Sequence, residues 1–499
     1  MKEIRVQTAI IGAGSAGLKA YEEAKKQGVS AVIIDPEFKL PAIFRSGYLP
    51  LDILRAIIEE QSSSVLQEDT PITMYGMDHS IRLKFSTILQ DLRERRRNCS
   101  EKYMKSCFQA VSEQDKIYGH ASFEDPRHLL VPAADVRITA ETFVIATGSR
   151  PYIPSCIKPA GPRAISCEDL FELEALPKSV AILGAGSTAL ELGQIMTRLG
   201  VKTVIFGQRH LWHFTDIKIS EIAEKCIGKS VVMFMNSEIT EISSDNEGVT
   251  IYYLDQDGKE GYIRTDYILA AAGSIPSFSK LRIENAGLSP DIFGAIQTDP
   301  NTRQTRMPHI FAAGSVAARN NPLERSLKDG SMAGRNAAIY PGELRRSPWL
   351  PLTISFTTPN FAIVGKKEEE LRSRHDAEPY IIGEASFQES HWAEIHLETA
   401  GMVHLYFSLR TKKLLGAELA LPMGATIAQF LAFSIALEKT LPELLGFSFY
   451  KPSPLEIVQL AVKNASIRFR ELETDQKIQL PEKQKSASTA VPVYDDRRF

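Results

Sequence analysis

Two strand–glycine loop–helix–strand patterns, one at the N-terminus and one beginning near residue 179, predict an α/β chain with two Rossmann-like dinucleotide-binding domains. From about Pro348 the texture changes to alternating strands, as at 403–407, and two amphipathic helices near 425–438 and 455–464. That predicts a C-terminal α+β domain without a nucleotide motif. The 499 residues exceed a single core, and 43% hydrophobic with 24% charged residues is the balance of a globular protein. A formal charge of −3 argues against a surface that neutralises nucleic-acid phosphates. No window approaches eighteen uninterrupted apolar residues, and Met1-Lys2-Glu3-Ile4-Arg5 runs straight into a strand pattern. Neither a membrane span nor a cleaved leader is expected, and a cytoplasmic location is.

The first pattern is the clearer. A short apolar strand at 5–11 leads into Gly12-Ala13-Gly14-Ser15-Ala16-Gly17, a helical stretch follows, and a second strand at 31–34 ends in Asp35. Gly12 permits the tight turn, Gly14 lets backbone amides approach a pyrophosphate, and Gly17 lets helix and strand pack closely. The helix N-terminus offers unpaired N–H groups and a positive dipole end to phosphates. Asp35 is placed to accept from a ribose hydroxyl.

The second pattern runs from a strand at 179–183 through Gly184-Ala185-Gly186-Ser187-Thr188-Ala189 to a strand at 202–206. Ala189 stands where a third glycine would be, a change that close helix–strand contact tolerates. Two such folds in one chain point to one site for FAD and another for NADH or NADPH. Short strands ending in glycine turns follow each fold: Ala146-Thr147-Gly148, Ala271-Ala272-Gly273 and Ala313-Gly314-Ser315.

The five cysteines, Cys99, Cys107, Cys156, Cys167 and Cys226, contain no C-x-x-C pair. Neither a zinc site nor a thioredoxin-like redox pair is expected, and the plain reading is thiols without a role. The run Arg93-Glu94-Arg95-Arg96-Arg97 sits in a helical pattern and reads as a solvated helix face. From Arg468 the composition turns to Gln, Lys, Glu, Ser and Thr, the texture of a disordered tail.

With these motifs in order, residues 5–465 resemble the pyridine nucleotide-disulfide oxidoreductases, dihydrolipoamide dehydrogenase-like branch. The resemblance implies an FAD-binding domain in two parts, 1–152 and 276–347, an NAD(P)-binding domain at 153–275 and a dimerisation domain at 348–467, with the tail at 468–499. It implies a homodimer, with Gly12, Gly14, Gly17, Asp35, Ala146, Thr147, Gly148, Gly314 and Ser315 around FAD. Gly184, Gly186, Ala189, Glu191, Arg209 and Gly273 would surround the nicotinamide nucleotide.

The chain also departs from that family. Gly47 and Pro50 keep the register of a segment that carries two redox cysteines, and that register puts Ile43 and Tyr48 in their places. A dithiol cycle has no thiols there. Asp52 stands where the family has a lysine paired to the second fold's glutamate, here Glu191, so two acids are expected to repel. Lys451 replaces the base histidine that precedes Glu456, and no histidine follows Met423. Ser315 replaces an aspartate on the ribityl chain. Gly207 replaces the acid that NAD-using relatives place on the ribose, and Arg209 with His210 would suit a 2′-phosphate or else form a solvated loop.

Three readings follow. One is an FAD-dependent NAD(P)H oxidoreductase that passes electrons directly to a small-molecule acceptor such as a quinone, as cysteine-poor relatives do. In that reading Lys451, Glu456 and Glu191 are the remaining catalytic candidates, and Tyr48, Phe449 and Tyr450 could line an apolar slot. The second is a catalytically inactive FAD-binding pseudoenzyme with a scaffold or sensing role. The third, a true dihydrolipoyl dehydrogenase, fits the pattern but not the missing thiols.

Overall fold

The computed structural model describes residues 1–38, 48–65, 85–108, 110–207, 211–318, 322–346, 350–373, 378–396 and 400–474. The N-terminal strand Lys2–Ile11 lies centrally in a seven-stranded sheet, parallel to Ala31–Asp35 on one side and Val136–Ile145 on the other. Its apolar run is buried on both faces, as a parallel strand between two helix layers requires. Val136–Ile145 is long enough for two further neighbours. Its first half pairs with the hairpin strand His128–Val131 and its second half with Ile310–Ala312. The Ile310–Ala312 strand therefore returns the chain to the first sheet after the second domain.

That second domain is a five-stranded parallel sheet, ordered Val232–Met235, Lys202–Gly207, Ser179–Leu183, Tyr267–Ala270, Ala164–Ser166. A three-stranded antiparallel sheet, Glu238–Ser244, Val249–Leu254 and Glu260–Thr265, shares an apolar core with it. A two-stranded ribbon, Ser149–Pro151 with Ser274–Pro276, marks both passages between the domains.

The C-terminal unit is an antiparallel sheet ordered Leu352–Ser355, Asn360–Gly365, Leu414–Leu421, Met402–Ser408, Tyr380–Ser386. The period-2 alternation of a strand gives the sheet two buried faces. Ala362 and Val364 join the core under the helices Gly424–Ala436 and Glu456–Thr474, while Phe361 and Ile363 join the core of the second Rossmann unit. The last helix runs to Thr474, past the point at 467 where the compositional shift marked a tail. Phe469 is buried and Leu472 packs beside it, so two apolar residues among the polar ones are enough to keep this face on the sheet.

The arginine run at 93–97 lies on the Phe85–Phe108 helix, but three of its side chains are engaged. Arg93 donates to the carbonyls of Phe171 and Leu173, Arg95 pairs with Glu60 and Asp91, and Arg96 pairs with Glu172. A freely solvated face is therefore the wrong description: the run fastens this helix to its neighbours.

Candidate functional site

The first glycine loop follows directly from close backbone approach. Gly12 has φ +103°, and a Cβ there would collide with the Ala146 carbonyl. A Cβ at Gly17 would strike the Gly12 carbonyl. Gly14 differs, with an ordinary φ of −73° and no atom within 4 Å of where its Cβ would stand. It heads the Ser15–Lys26 helix without a side-chain cap, so the first helical amides face open space. Asp35 braces the loop: Oδ2 accepts from the Ala13 amide at 2.9 Å, and Oδ1 accepts from the amides of Glu37 and Phe38, each at 3.0 Å. Thr147, whose backbone abuts Gly12, has a buried hydroxyl with no hydrogen-bond partner among the described residues. Gly314 abuts Ala16, which brings half-buried Ser315 to the same helix start. An open helix terminus beside an orphaned buried hydroxyl fits a polar cofactor.

The second loop repeats the geometry. Gly184 has φ +133° and a Cβ there would meet the Ala271 carbonyl, while Gly186 again opens onto free space ahead of the uncapped Ser187–Arg198 helix. Ala189 is fully buried in that helix, and Gly273 adopts φ +104° with open space beside it. Arg209 and His210 lie outside the described residues. The loop's other wall is Trp212, which pattern reading missed. Its amide donates to the Ala185 carbonyl at 2.9 Å and its indole N–H to the Ser187 hydroxyl at 2.6 Å. Gly207 is empty of an acid for a packing reason: a Cβ there would lie 2.5 Å from Met235 Sδ and 3.0 Å from Ala185 Cβ.

Glu191 sits where both domains meet the C-terminal unit. It is 1% exposed, and the expected repulsion with Asp52 does not arise because Arg55 stands between them. Arg55 Nη2 donates to Asp52 at 2.6 Å, and Nη1 donates to Glu191 Oε2 at 3.0 Å and to the Phe356 carbonyl at 2.8 Å. Glu191 Oε1 accepts from the Ser355 hydroxyl and the Phe356 amide, both at 3.0 Å. Burial pushes the Glu191 carboxyl up from its ordinary range, and Arg55, the Phe356 amide and the Ser355 hydroxyl pull against it. The signal for Arg55 was its i+3 spacing from Asp52 on one helix.

Lys451 and Glu456 are brought together at 2.8 Å, with Glu456 1% exposed. The same Oε1 takes a second partner, His391 Nδ1 at 2.6 Å, from the short His391–His396 helix. The imidazole at this glutamate comes not from the stretch after Met423 but from the His391–His396 helix, ahead of the strands Met402–Ser408 and Leu414–Leu421. Burial pushes Glu456 up, but Lys451 and His391 outweigh it and hold the carboxyl below its usual range. Phe449 does not line an open slot. It is 8% exposed and packs edge-on with Phe447 and Phe430, whereas Tyr450 is 83% exposed.

Ile43 lies outside the described residues, as does the side chain of Tyr48. Cys99 and Cys156 are exposed free thiols, whereas Cys226 is buried. Burial, with Glu168 and Asp169 nearby, pushes the Cys167 thiol up to about 12, which keeps it protonated at neutral pH. Among the described residues, no helix is long and apolar enough to cross a membrane.

Comparison with known proteins matches residues 6–338 to the pyridine nucleotide-disulphide oxidoreductase family and residues 352–462 to its dimerisation domain. A soluble pyridine nucleotide transhydrogenase of Hahella chejuensis is 28% identical over 423 residues, covering 83% of this chain and 88% of that protein. One from Hamiltonella defensa is 30% identical over 417 residues, covering 82% and 86%. Among solved structures, the HOCl-induced flavoprotein disulfide reductase RclA of Escherichia coli superposes with a TM-score of 0.75 at 20% identity, covering 94% of this chain and 100% of that one. LpdA of Mycobacterium tuberculosis gives 0.75 at 18% identity, covering 92% and 99%. At such identities these two likenesses speak to fold alone. The family's members bind FAD and NAD(P)H. With its two glycine cradles and its C-terminal unit both matched, the chain belongs to the flavin-dependent pyridine nucleotide-disulphide oxidoreductases.

Proposed function

We propose that this chain is an FAD-dependent NAD(P)H oxidoreductase that reduces a diffusible acceptor, such as a quinone, without a dithiol relay at positions 43 and 48. The observation that carries it is the pair of open cradles at Gly14 and Gly186, each heading an uncapped helix. A pseudoenzyme has no reason to keep both. FAD, once bound, supplies a two-electron centre between nicotinamide and acceptor.

In this reading Gly12, Gly14 and Gly17 admit the flavin pyrophosphate to the Ser15–Lys26 helix start. Asp35 has three backbone amides on its carboxylate, which leaves roughly one acceptor position of four for a ribose hydroxyl. Thr147, Gly148, Ala146, Gly314 and Ser315 close the pocket, with the Thr147 and Ser315 hydroxyls as hydrogen-bond partners for the cofactor. Gly184, Gly186, Ala189 and Gly273 receive the nicotinamide nucleotide, and Arg209 pairs with a 2′-phosphate. Arg55 keeps Asp52 and Glu191 apart in charge and so substitutes for the lysine–glutamate pair of the relatives.

We further propose a homodimer through the C-terminal unit. Phe433, Leu437, Phe447 and Tyr450 are exposed and would supply its apolar contacts, with the 449–456 stretch facing the second copy's flavin in this reading. A second reading comes from the relatives named soluble pyridine nucleotide transhydrogenases: the acceptor is itself the other nicotinamide nucleotide. Gly207, without an acid, suits a site that takes both. The test is anaerobic: NADPH added to the purified protein bleaches the flavin spectrum, and a quinone restores it. A protein that binds FAD but whose flavin neither NADPH nor NADH bleaches returns the FAD-binding pseudoenzyme reading.

A further inference from the structure

We infer that Trp212 is a positioning residue for the nicotinamide nucleotide: it turns the Ser187 hydroxyl toward the pyrophosphate, and the C-terminal unit holds it there. This deepens the proposed reading and rests on its placement of NAD(P)H at the second cradle.

An indole N–H can only donate, so the Ser187 oxygen, 2.6 Å from Trp212 Nε1, is the acceptor in that bond. One lone pair is thereby taken, and the Ser187 proton must point elsewhere. No acceptor for it stands among the described residues. Ser187 is the first residue of the Ser187–Arg198 helix, next to Gly186, whose side-chain space is open. A half-buried O–H at an uncapped helix start is a donor for a phosphate oxygen, beside the backbone amides that already face it. The contact serves NADH and NADPH alike, because both carry the pyrophosphate.

The hold on Trp212 comes from the C-terminal unit. The Trp212 backbone sits at φ +58°, a left-handed angle that a bulky residue keeps only when its surroundings impose it. Its indole meets Phe361, with ring centroids 5.8 Å apart. Each of the next four residues is then tied to the same unit. The His213 carbonyl accepts from Lys367 Nζ at 3.2 Å, and the Phe214 ring packs edge-on against Phe361 at 5.3 Å. Thr215 donates its amide to Glu418 Oε2 at 2.9 Å and its hydroxyl to Oε1 at 2.7 Å. The Asp216 amide donates to Glu418 Oε2 at 3.2 Å, and the Asp216 carboxylate meets His404. Glu418 is 0% exposed, so the 212–216 stretch cannot lift away without stranding a buried carboxylate. Nucleotide affinity at the second cradle is therefore set in part from the C-terminal sheet.

The test is calorimetric titration of NADP+ and NAD+ into the FAD-loaded protein, which needs no turnover. Ser187→Ala, and Trp212→Phe, which keeps a ring and loses the N–H, should each weaken both nucleotides by about tenfold at unchanged flavin content. Because one residue acts through the other, the double variant should bind no worse than Ser187→Ala alone. Additive losses, no loss, or a loss confined to one nucleotide overturn the positioning role and leave the oxidoreductase reading intact. Thr215→Val tests the hold, since it removes one donor to Glu418 and keeps the side-chain shape. It should weaken both nucleotides severalfold in the wild-type background and not at all once Trp212 is replaced by Phe. If that variant does not fold, Lys367→Met, which cuts only the bond to the His213 carbonyl, gives the same readout. No loss in the wild-type background, or the same loss with Trp212→Phe, overturns the hold. Wild-type protein that binds neither nucleotide sinks the reading of the second cradle, and this inference with it.

Discussion

Arg55 Nη1 lies 3.0 Å from Glu191 Oε2, and this contact joins the helix after the first glycine fold to the helix that carries the second. It makes one assembly of residues that are 136 positions apart. Arg55→Ala therefore strands a buried carboxylate. The expected loss is about 3–5 kcal/mol at neutral pH, the range for breaking a buried pair. The sign with pH follows from burial, which raises the Glu191 pKa in the folded state. The folded protein then binds more protons than the unfolded chain, so stability from this group is present at low pH and falls as pH rises through the folded value. The variant should lose less at pH 5 than at pH 7.5, as read by urea midpoints, and Glu191→Gln in the same chain should recover part of the loss.

Gly14 and Gly186 separate ligand binding from folding. Both have room for a side chain, and Gly14 has ordinary backbone angles, so Gly14→Val and Gly186→Val should fold. Each side chain then occupies the mouth of its own helix. Gly14→Val should lose FAD and Gly186→Val should lose nicotinamide nucleotide, each by at least about tenfold, or 1.4 kcal/mol. Flavin absorbance after gel filtration checks the first. Quenching of Trp212, which touches Ser187, checks the second.

Transplanting an acid to position 207 should fail alone. Met235 Sδ occupies the space its Cβ would need, so Gly207→Glu is overpacked by about 1–3 kcal/mol and gains no preference for NADH. Combined with Met235→Ala, the acid has room, and the NADH-to-NADPH ratio of kcat/KM should rise. Direct comparison of the single and double variants decides it.

Asp216 fastens the second Rossmann unit to the C-terminal sheet. Its Oδ1 accepts from the Lys218 and Ile219 amides at the start of the Ile217–Gly228 helix, while Oδ2 meets His404 and the Tyr406 hydroxyl. Burial pushes this carboxyl up, but His404, the Ile219 amide and Tyr406 outweigh it and hold it below its ordinary value. A depressed carboxyl stabilises the fold above its unfolded pKa of about 3.9, and that contribution disappears as pH falls through the folded value. Asp216→Ala should therefore cost about 3 kcal/mol at pH 7 and much less near pH 3, measured as before by denaturant unfolding.

The glycine cradles were legible because their constraint is written in one stretch of chain. A backbone that approaches Ala146 or Ala271 admits no side chain, and only glycine answers. The two-part sheet was legible for the same kind of reason, since three apolar strands each end in a glycine turn. What escaped reading depends on pairs distant in sequence. Arg55 reaches Glu191, His391 reaches Glu456, Trp212 reaches Ser187 only by passing over the loop, and Met235 fills the place at Gly207 from a neighbouring strand. Apart from the Asp52–Arg55 spacing on one helix, none of these leaves a local pattern. Phe449 misled in the opposite direction: an aromatic beside an expected site looked like a slot wall, and packing against Phe447 and Phe430 buried it instead.

The central claim is that electrons pass from NAD(P)H through the flavin site to an acceptor without a thiol. The most direct measurement is anaerobic titration with NADPH after exposed thiols are alkylated with iodoacetamide. Bleaching of the bound flavin, followed by full return on adding 1,4-benzoquinone, at rates equal to those of untreated protein, is the predicted result. Loss of either phase on alkylation would contradict the account and place a cysteine in the path.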